Sequence, residues 1–515
     1  MKPFGDSGAF CPAGEGGGLR TLAVRAAGVT VLSQACGFVI QMAATIILAR
    51  LLGPGDFGLL TMVMTFSLLF MNFGLNGFTE AVLQREEMDH SLASNVFWIN
   101  AAIGVVLTIA FAAAGPFLAT LYGDPRVAPV AAVMSATILL SSLSVQHLAL
   151  LKRAMRFTAV SANDLLARTA SVIVSIVLGW AGWGYWSLVG GALALAVTAC
   201  AGAWTMCRWI PGRPRPHPGT GPTVRFALNT YGRFAATYCT WNLDNLLLGW
   251  RFGPVSLGYY KKAYDLFVLP MNQLSSPLTA VAVSSLSRLG SMPAQQKNYL
   301  LRALATLAFI GMGLGASLTL IGKDLVLLLL GAQWGESGRI FTFFGPGIGV
   351  MLLYATNGWI HLSIGRADRW FRWGIVELAV TGVLFVLALP HGPAGIAIAW
   401  VVSYSLLVIP ALRYAGRPID LGATEVIAVV WKFVAASALA GVATASLLQS
   451  SPALAGIPGA SGALARLALA LCLFGFTYVF AVALLHRGFE PFHGIARLLS
   501  EMLPAHRWQV RPARP

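Results

Sequence analysis

Long apolar runs separated by short polar breaks fill this sequence from residue 26 to residue 486. A helix needs about 20 apolar residues to cross the hydrocarbon core of a bilayer. Runs of that length predict spans at 26–49, 57–79, 93–114, 128–150, 163–181, 185–207, 226–250, 264–287, 299–321, 340–362, 373–389, 394–412, 424–448 and 464–486. A transmembrane β-barrel would show short alternating segments instead. The pattern therefore predicts an all-α integral membrane fold of about 14 transmembrane helices.

Composition agrees, with 57% of residues hydrophobic and 10% charged, where a soluble domain is about 25% charged. No stretch is left for a sizeable soluble domain. The net charge of +16 raises the question of nucleic acid. The basic residues sit in short clusters between apolar runs, which is the mark of membrane topology and not of a phosphate-tracking face. With the N-terminus inside, Lys and Arg favour the inside segments over the outside loops by three to one. That bias predicts both termini on the cytoplasmic side. The first eighteen residues are Gly-rich without an apolar core, so they do not read as a signal peptide. Trp180, Trp183, Tyr185, Trp186, Trp209, Tyr259 and Tyr260 fall near span ends, as interfacial belts require. The six cysteines are scattered without a CxxC pair and read as packing residues.

An internal repeat organises the chain. LARLLGPGDFGLL at 48–60 and LGWRFGPVSLGYY at 248–260 align at an offset of 200, matching Leu48/Leu248, Gly53/Gly253, Pro54/Pro254 and Gly58/Gly258. Pro and Gly there end one helix and turn the chain into the next. A weaker echo pairs LLKRAMRF at 150–157 with SIGRADRWF at 363–371. Each unit has six spans, so both enter the membrane from one side, and a pseudo-two-fold along the membrane normal is expected. The predicted organisation is a cytoplasmic arm at 1–25, an N-lobe at 26–208, a cytoplasmic linker at 209–225 and a C-lobe at 226–413. Two additional spans at 414–490 and a basic cytoplasmic tail at 491–515 complete it.

Polar residues at helical spacing inside apolar spans mark a cavity or a helix contact. In span 7, Asn229, Arg233, Thr237, Thr240 and Asp244 share one face. Arg233 and Asp244 lie about 16 Å apart along the axis, too far to pair directly. Span 2 carries Asn72, Asn76 and Glu80; span 1 carries Gln34 and Gln41 beyond Arg25; span 5 carries Asn163, Asp164 and Arg168. Span 10 holds Asn357 and His361, and His361, near Arg366, reads more readily as a buried hydrogen-bonding residue than as a proton relay; Glu377 of span 11 has no evident partner and is assigned no role. Lone amides serve more often as glue between helices than as ligands, and for span 7 a structural Arg–Asp arrangement stands as the alternative to a cavity face. No P-loop, Gly-x-Ser-x-Gly, HExxH or acidic metal pair appears, and DPR at 124–126 has too few companions for a metal site. No catalytic activity, cofactor or metal is expected.

With these features together, the chain resembles the polysaccharide transporter branch of the multidrug/oligosaccharidyl-lipid/polysaccharide exporter superfamily, the Wzx-type flippases. The resemblance runs through most of 20–413, in LARLLGPGDFGLL, in LYGDP at 121–125 and in WNLDNLLLGWRFGPVSLGYYKKAYDL at 241–266. It continues in LLLLGAQW at 327–334 and IGRADRWFRWG at 364–374. It implies transfer of undecaprenyl-diphosphate-linked oligosaccharide across the bacterial inner membrane by alternating access of two lobes, without ATP and with an ion gradient as a candidate driving force. It also implies membrane lipids as surroundings and a polysaccharide polymerase and chain-length proteins as candidate partners, with no nucleic acid. On this reading Arg25, Arg168 and Arg233 are candidates for the diphosphate, since guanidinium forks match phosphate oxygens. Gln34, Gln41, Asn72, Asn76 and Asn229 are candidates for sugar hydroxyls, and Asp244 for a coupling or gating carboxylate. A drug/cation antiporter of the same superfamily would want more carboxylates in its spans. A membrane polymerase or ligase would want a larger outside loop than the one around 322–339.

Overall fold

The computed structural model describes residues 3, 4, 10, 19–73, 77–85, 88–290, 292–450, 459–488 and 492. Apart from residue 492, the predicted basic tail lies outside the described residues. The described chain is helical, with an isolated bridge between Phe4 and Phe10. Its helices are α1 (Leu19–Leu51), α2 (Pro54–Phe73), the short α3 (Thr79–Gln84), α4 (His90–Tyr122), α5 (Val127–Arg153), α6 (Phe157–Trp180) and α7 (Tyr185–Cys207). They continue as α8 (Thr220–Arg288), α9 (Pro293–Leu330), α10 (Gly335–Phe344), α11 (Gly347–Ser363), α12 (Ala367–Ala388), α13 (Gly392–Gly416), α14 (Ala423–Gln449) and α15 (Gly459–His486).

The breaks have local causes. α1 stops where Pro54 follows Gly53, because a proline ring excludes the helical region for the residue before it. The Asp56 carboxylate then accepts the Gly53 N–H at 3.0 Å and fixes the start of α2. α4 starts on Asp89, whose side chain accepts from Leu92 N–H at 2.7 Å, and ends at Gly123 with φ 65°. Beyond it the DPR turn is closed by an ion pair, with Arg126 and Asp124 at 2.7 Å. The hydrogen bond from Arg126 holds the Asp124 carboxyl below its ordinary range. α8 holds predicted spans 7 and 8, interrupted at Gly253, whose φ of 75° with ψ of −176° suits glycine alone. Predicted span 10 is the pair α10–α11, bent by 54°.

With α8 counted twice, α10–α11 once and the six-residue α3 left out, these helices correspond to the fourteen predicted passes. Among the described residues, ten stretches are long and apolar enough to cross a bilayer, or eleven with the bent pair. α8 is not among them because polar residues interrupt both of its halves, and α12–α13 run on as one stretch.

The chain forms two compact units. The first comprises residues 1–262, 329–334 and 385–393; the second comprises 263–328, 335–384 and 394–515. Within the first, α4 and α5 pack closely enough that a Cβ at Gly104 would lie 2.5 Å from Ser142, and Asn100 donates to the Ser142 carbonyl at 2.7 Å. The Pro- and Arg-rich linker is strapped to α4: Gly212 N–H donates to Ser94 Oγ at 2.9 Å, and Gly212 C=O accepts from Trp98 Nε1 at 2.8 Å. Asn95 bonds both the N–H and the C=O of Arg215, at 2.9 and 2.5 Å. A stack of His147 on Trp204, 4.1 Å between centroids, closes the same end. In the second unit α14 and α15 are fastened to α9. Lys297 meets Glu425 at 2.6 Å, Arg466 meets Asp324 at 2.6 Å, and Tyr478 O–H donates to Phe309 C=O at 2.7 Å.

Candidate functional site

The two copies of the repeat meet each other within the first unit. A Cβ built on Gly58 would lie 1.7 Å from the Pro254 carbonyl oxygen, and one on Gly258 would lie 1.9 Å from the Pro54 carbonyl oxygen. The roles exchange between copies, as contacts do across a two-fold axis. Small residues permit such a backbone approach, and dispersion between the helices holds it. Trp334 sits over the crossing, its ring 5.5 Å from Phe57 and 6.1 Å from Tyr259. Its Nε1–H donates to Ala49 C=O at 2.7 Å, and Gln333 donates to the same oxygen. These bonds satisfy the open carbonyl end of α1. Lys262, nearly buried, places its ammonium 3.7 Å from the Phe57 ring centre.

From that crossing α2 and the first half of α8 run side by side. Tyr238 O–H donates to Thr65 C=O at 3.0 Å and Tyr231 O–H to Leu69 C=O at 2.8 Å. Further along, a Cβ on Gly77 would lie 2.8 Å from Ala227 C=O. Tyr231 and Tyr238 form one stripe of α8, and Thr240 and Asp244 lie on the opposite phase. Thr240 and Asp244 are buried. Asp244 Oδ2 accepts from Tyr260 O–H at 2.6 Å, and Oδ1 accepts from Asn245 N–H at 2.7 Å. The first bond reaches across the Gly253 break, so it ties the two halves of α8 together. An O–H donor at that distance is in the charge-assisted range for a carboxylate.

Other predicted positions separate into groups. Gln34 and Gln41 are exposed on α1 and bracket Gly37 at helical spacing. Arg168 packs its stem there, Cδ lying 3.6 Å from a Cβ built on Gly37. These three form one exposed stripe of α1 and α6. Arg168 Nε donates to Asp164 at 2.8 Å, and both side chains are open. Asn72 bonds back to Leu68 C=O at 2.8 Å, in the last turn of α2. Asn163 serves as glue, donating to Ala199 C=O at 3.1 Å between α6 and α7. Arg25 lies in α1, and Asn229 and Arg233 lie in α8, on the helical phase of Asp244; their side chains, like the whole of Asn76, lie outside the described residues. Tyr260 reads from the sequence as an interfacial residue, but it is fully buried on Asp244. Trp334 and Gln333 carry no sequence signal beyond their place in LLLLGAQW, because their partners are set by tertiary pairing.

Residues 47–339 match the family described as polysaccharide biosynthesis protein, more than half of the chain. The succinoglycan biosynthesis transport protein ExoT of Rhizobium meliloti (strain 1021) is 22% identical over 361 residues, covering 70% of this chain and 73% of its own. The lipopolysaccharide biosynthesis protein WzxC of Escherichia coli (strain K12) is 22% identical over 297 residues, 56% of this chain and 59% of its own. Among solved structures, the lipid II flippase MurJ in an inward closed conformation superposes with a TM-score of 0.71 at 13% identity, covering 90% of this chain and 99% of that one. An inward-facing MATE family multidrug resistance transporter of the MOP superfamily gives 0.60 at 14% identity, covering 75% and 94%. These likenesses show the fold of MOP superfamily transporters. By the match over 47–339, the chain belongs to the polysaccharide biosynthesis protein family.

Proposed function

We propose that this chain is a flippase moving undecaprenyl-diphosphate-linked oligosaccharide repeat units from the cytoplasmic to the periplasmic leaflet of a bacterial inner membrane. The product would feed exopolysaccharide, capsule or O-antigen synthesis, with a polysaccharide polymerase and chain-length proteins as partners and no chemistry performed on the substrate. The observation that carries this reading is the exposed stripe of Gln34, Gln41 and Arg168 inside apolar spans. An arginine near mid-membrane is costly against lipid chains and is found facing water or a polar ligand. Arg168 engages its Nε with Asp164, which leaves the planar fork of terminal amino groups for phosphate oxygens. Arg25 and Arg233 would add charge, Asn72, Asn76 and Asn229 would meet sugar hydroxyls, and Asp244 with Tyr260 would act as the gating latch. The lobes at 26–208 and 226–413 would rock about that substrate.

The reading is tested in proteoliposomes with a defined lipid-linked oligosaccharide and a leaflet-resolved readout. Arg168→Ala and Arg233→Ala are each expected to lower transport per inserted molecule by about tenfold or more, the worth of a charge-assisted hydrogen bond. Lysine at either position should restore only part, since a point charge lacks the fork. Normal transport in both alanine variants would remove the assignment.

Orientation is part of the same proposal. In a background without native cysteines, Arg213→Cys should be shielded from an impermeant thiol reagent in intact spheroplasts, and Val255→Cys should label. Both side chains are open on their own unit. The reverse labelling would invert the leaflets.

A further inference from the structure

Glu377 sits in α12 ten residues past Ala367, about 15 Å along the helix and so near the middle of a core about 30 Å thick. Both of its oxygens accept phenol hydroxyls: Tyr354 O–H donates to Oε2 and Tyr404 O–H to Oε1, each at 2.7 Å. Tyr354 belongs to α11 and Tyr404 to α13, so three helices converge on one carboxyl group. The phenols are held from behind. Trp373 Nε1–H donates to the Tyr354 oxygen at 2.9 Å, Tyr404 stacks on Trp400 at 5.1 Å, and the two tyrosine rings meet edge to face at 4.8 Å.

This arrangement can hold the carboxyl group in either protonation state. Ionised, it accepts from both hydroxyls. When a proton settles on Oε2, the carboxyl group donates to the Tyr354 oxygen, which has a second lone pair beside the one used by Trp373, and the Tyr354 O–H turns away. Tyr404 keeps its bond to Oε1 throughout.

A route to the site is built from polar atoms. On α11, Tyr354, Asn357 and His361 share a stripe, and on α12, Trp373, Glu377 and Thr381 share another. Asn357 Oδ1, Thr381 Oγ1 and both ring nitrogens of His361 are buried with no hydrogen-bond partner among the described residues. Buried polar atoms of this kind take their bonds from water. His361 lies two residues from the end of α11, with its ring 5.9 Å from Tyr414, which stacks on Trp373 at 5.5 Å. Beyond it lie Arg366, Asp368 and Arg369 at the start of α12, and Arg413 and Arg417 at the end of α13. The titratable groups that touch Glu377 include Tyr354 from α11 and Tyr404 from α13; Tyr264 of α8 stands behind Trp400 at 5.6 Å, and His361 and Tyr414 lie toward the arginine-rich end.

We propose that Glu377 is a reversible proton-binding site of the transport cycle, reached from the arginine-rich end of α11–α13 through His361. Its place in a cycle rests on the flippase reading; the binding of the proton does not. The test uses infrared difference spectroscopy on the full chain in proteoliposomes, with no lipid-linked sugar present. Between about pH 5 and pH 8, the wild type should show a protonated-carboxyl band that Glu377→Gln loses and Asp244→Asn keeps. Absence of the band in the wild type, or its persistence in Glu377→Gln, overturns the proposal. Should Glu377→Gln fail to insert, Tyr354→Phe and Tyr404→Phe each remove one bond to the carboxyl group and should shift the band; an unmoved band overturns the assignment equally. His361→Ala should slow proton uptake after a pH jump by about tenfold or more while leaving the band's size unchanged, and an unchanged rate overturns the route. A chain that shows the band but moves no lipid-linked oligosaccharide keeps this site and loses the flippase reading.

Discussion

Gly58→Ala is expected to force α2 away from the second half of α8 and to cut transport per inserted molecule by about a hundredfold. The added methyl carbon would lie 1.7 Å from the carbonyl oxygen of Pro254 and 2.5 Å from its carbonyl carbon. Those are backbone atoms, so no rotamer change can relieve the clash. Overpacking in a fitted interior costs about 1–3 kcal/mol even where side chains can yield, and the upper end of that range is a factor of roughly a hundred in a closing equilibrium. The opening is read directly with a cysteine pair at Gly55 and Val255, where a Cβ on Gly55 lies 3.4 Å from a Val255 methyl. That pair should form a disulfide in a background without native cysteines and fail to form one when Gly58→Ala is added. Gly258→Ala should do the same through Pro54. Because both glycines serve one crossing, the double variant should be little worse than either single one, the non-additivity expected of residues that share a contact. Efficient cross-linking and normal transport in Gly58→Ala would show that the crossing can open without consequence.

The helices were legible in the sequence because bilayer thickness sets span length, and apolar runs report it without reference to neighbours. The repeat at 48–60 and 248–260 was legible for a similar reason: Pro54 and Pro254 act on the residue before them, whatever packs outside. That the two copies would lock glycine to proline carbonyl was not legible, since they stand 200 positions apart and local propensity carries no trace of the pairing. The same limit hid the partners of Glu377. Tyr354 and Tyr404 lie 23 and 27 residues away, on two other helices. Tyrosine in an apolar run reads as an interfacial residue, yet Tyr404 falls mid-span and fully buried, and that depth was the available signal. The Pro- and Arg-rich linker at 209–225 read only as a cytoplasmic connection between the lobes. The backbone of its Gly212 and Arg215 is bonded to Ser94, Asn95 and Trp98 of α4, side chains at the start of a predicted span, and nothing local in the sequence announces that pairing.

Asp244→Asn is expected to reduce transport per inserted molecule by at least about tenfold while the amount of inserted protein changes by less than about twofold. The substitution keeps shape and leaves an oxygen able to accept from Tyr260. It removes the charge that makes the 2.6 Å bond strong, and neutral hydrogen bonds are about half as strong as charge-assisted ones. The loss of roughly 1.4 kcal/mol or more is a factor of about ten. Tyr260→Phe deletes the same bond from its other end, leaving a buried carboxylate without that donor, and should match Asp244→Asn in transport while costing more in folded protein. The pair lies on either side of Gly253, where α8 breaks, so the bond fixes the angle between its halves. If that angle changes during turnover, the two substitutions act on one step, and Asp244→Asn with Tyr260→Phe should be no slower than the worse single variant. Multiplicative losses in the double variant would mean two separate roles. Depleted protein with normal turnover of what remains would make Asp244 a packing residue, and the latch would have to lie elsewhere in the first unit.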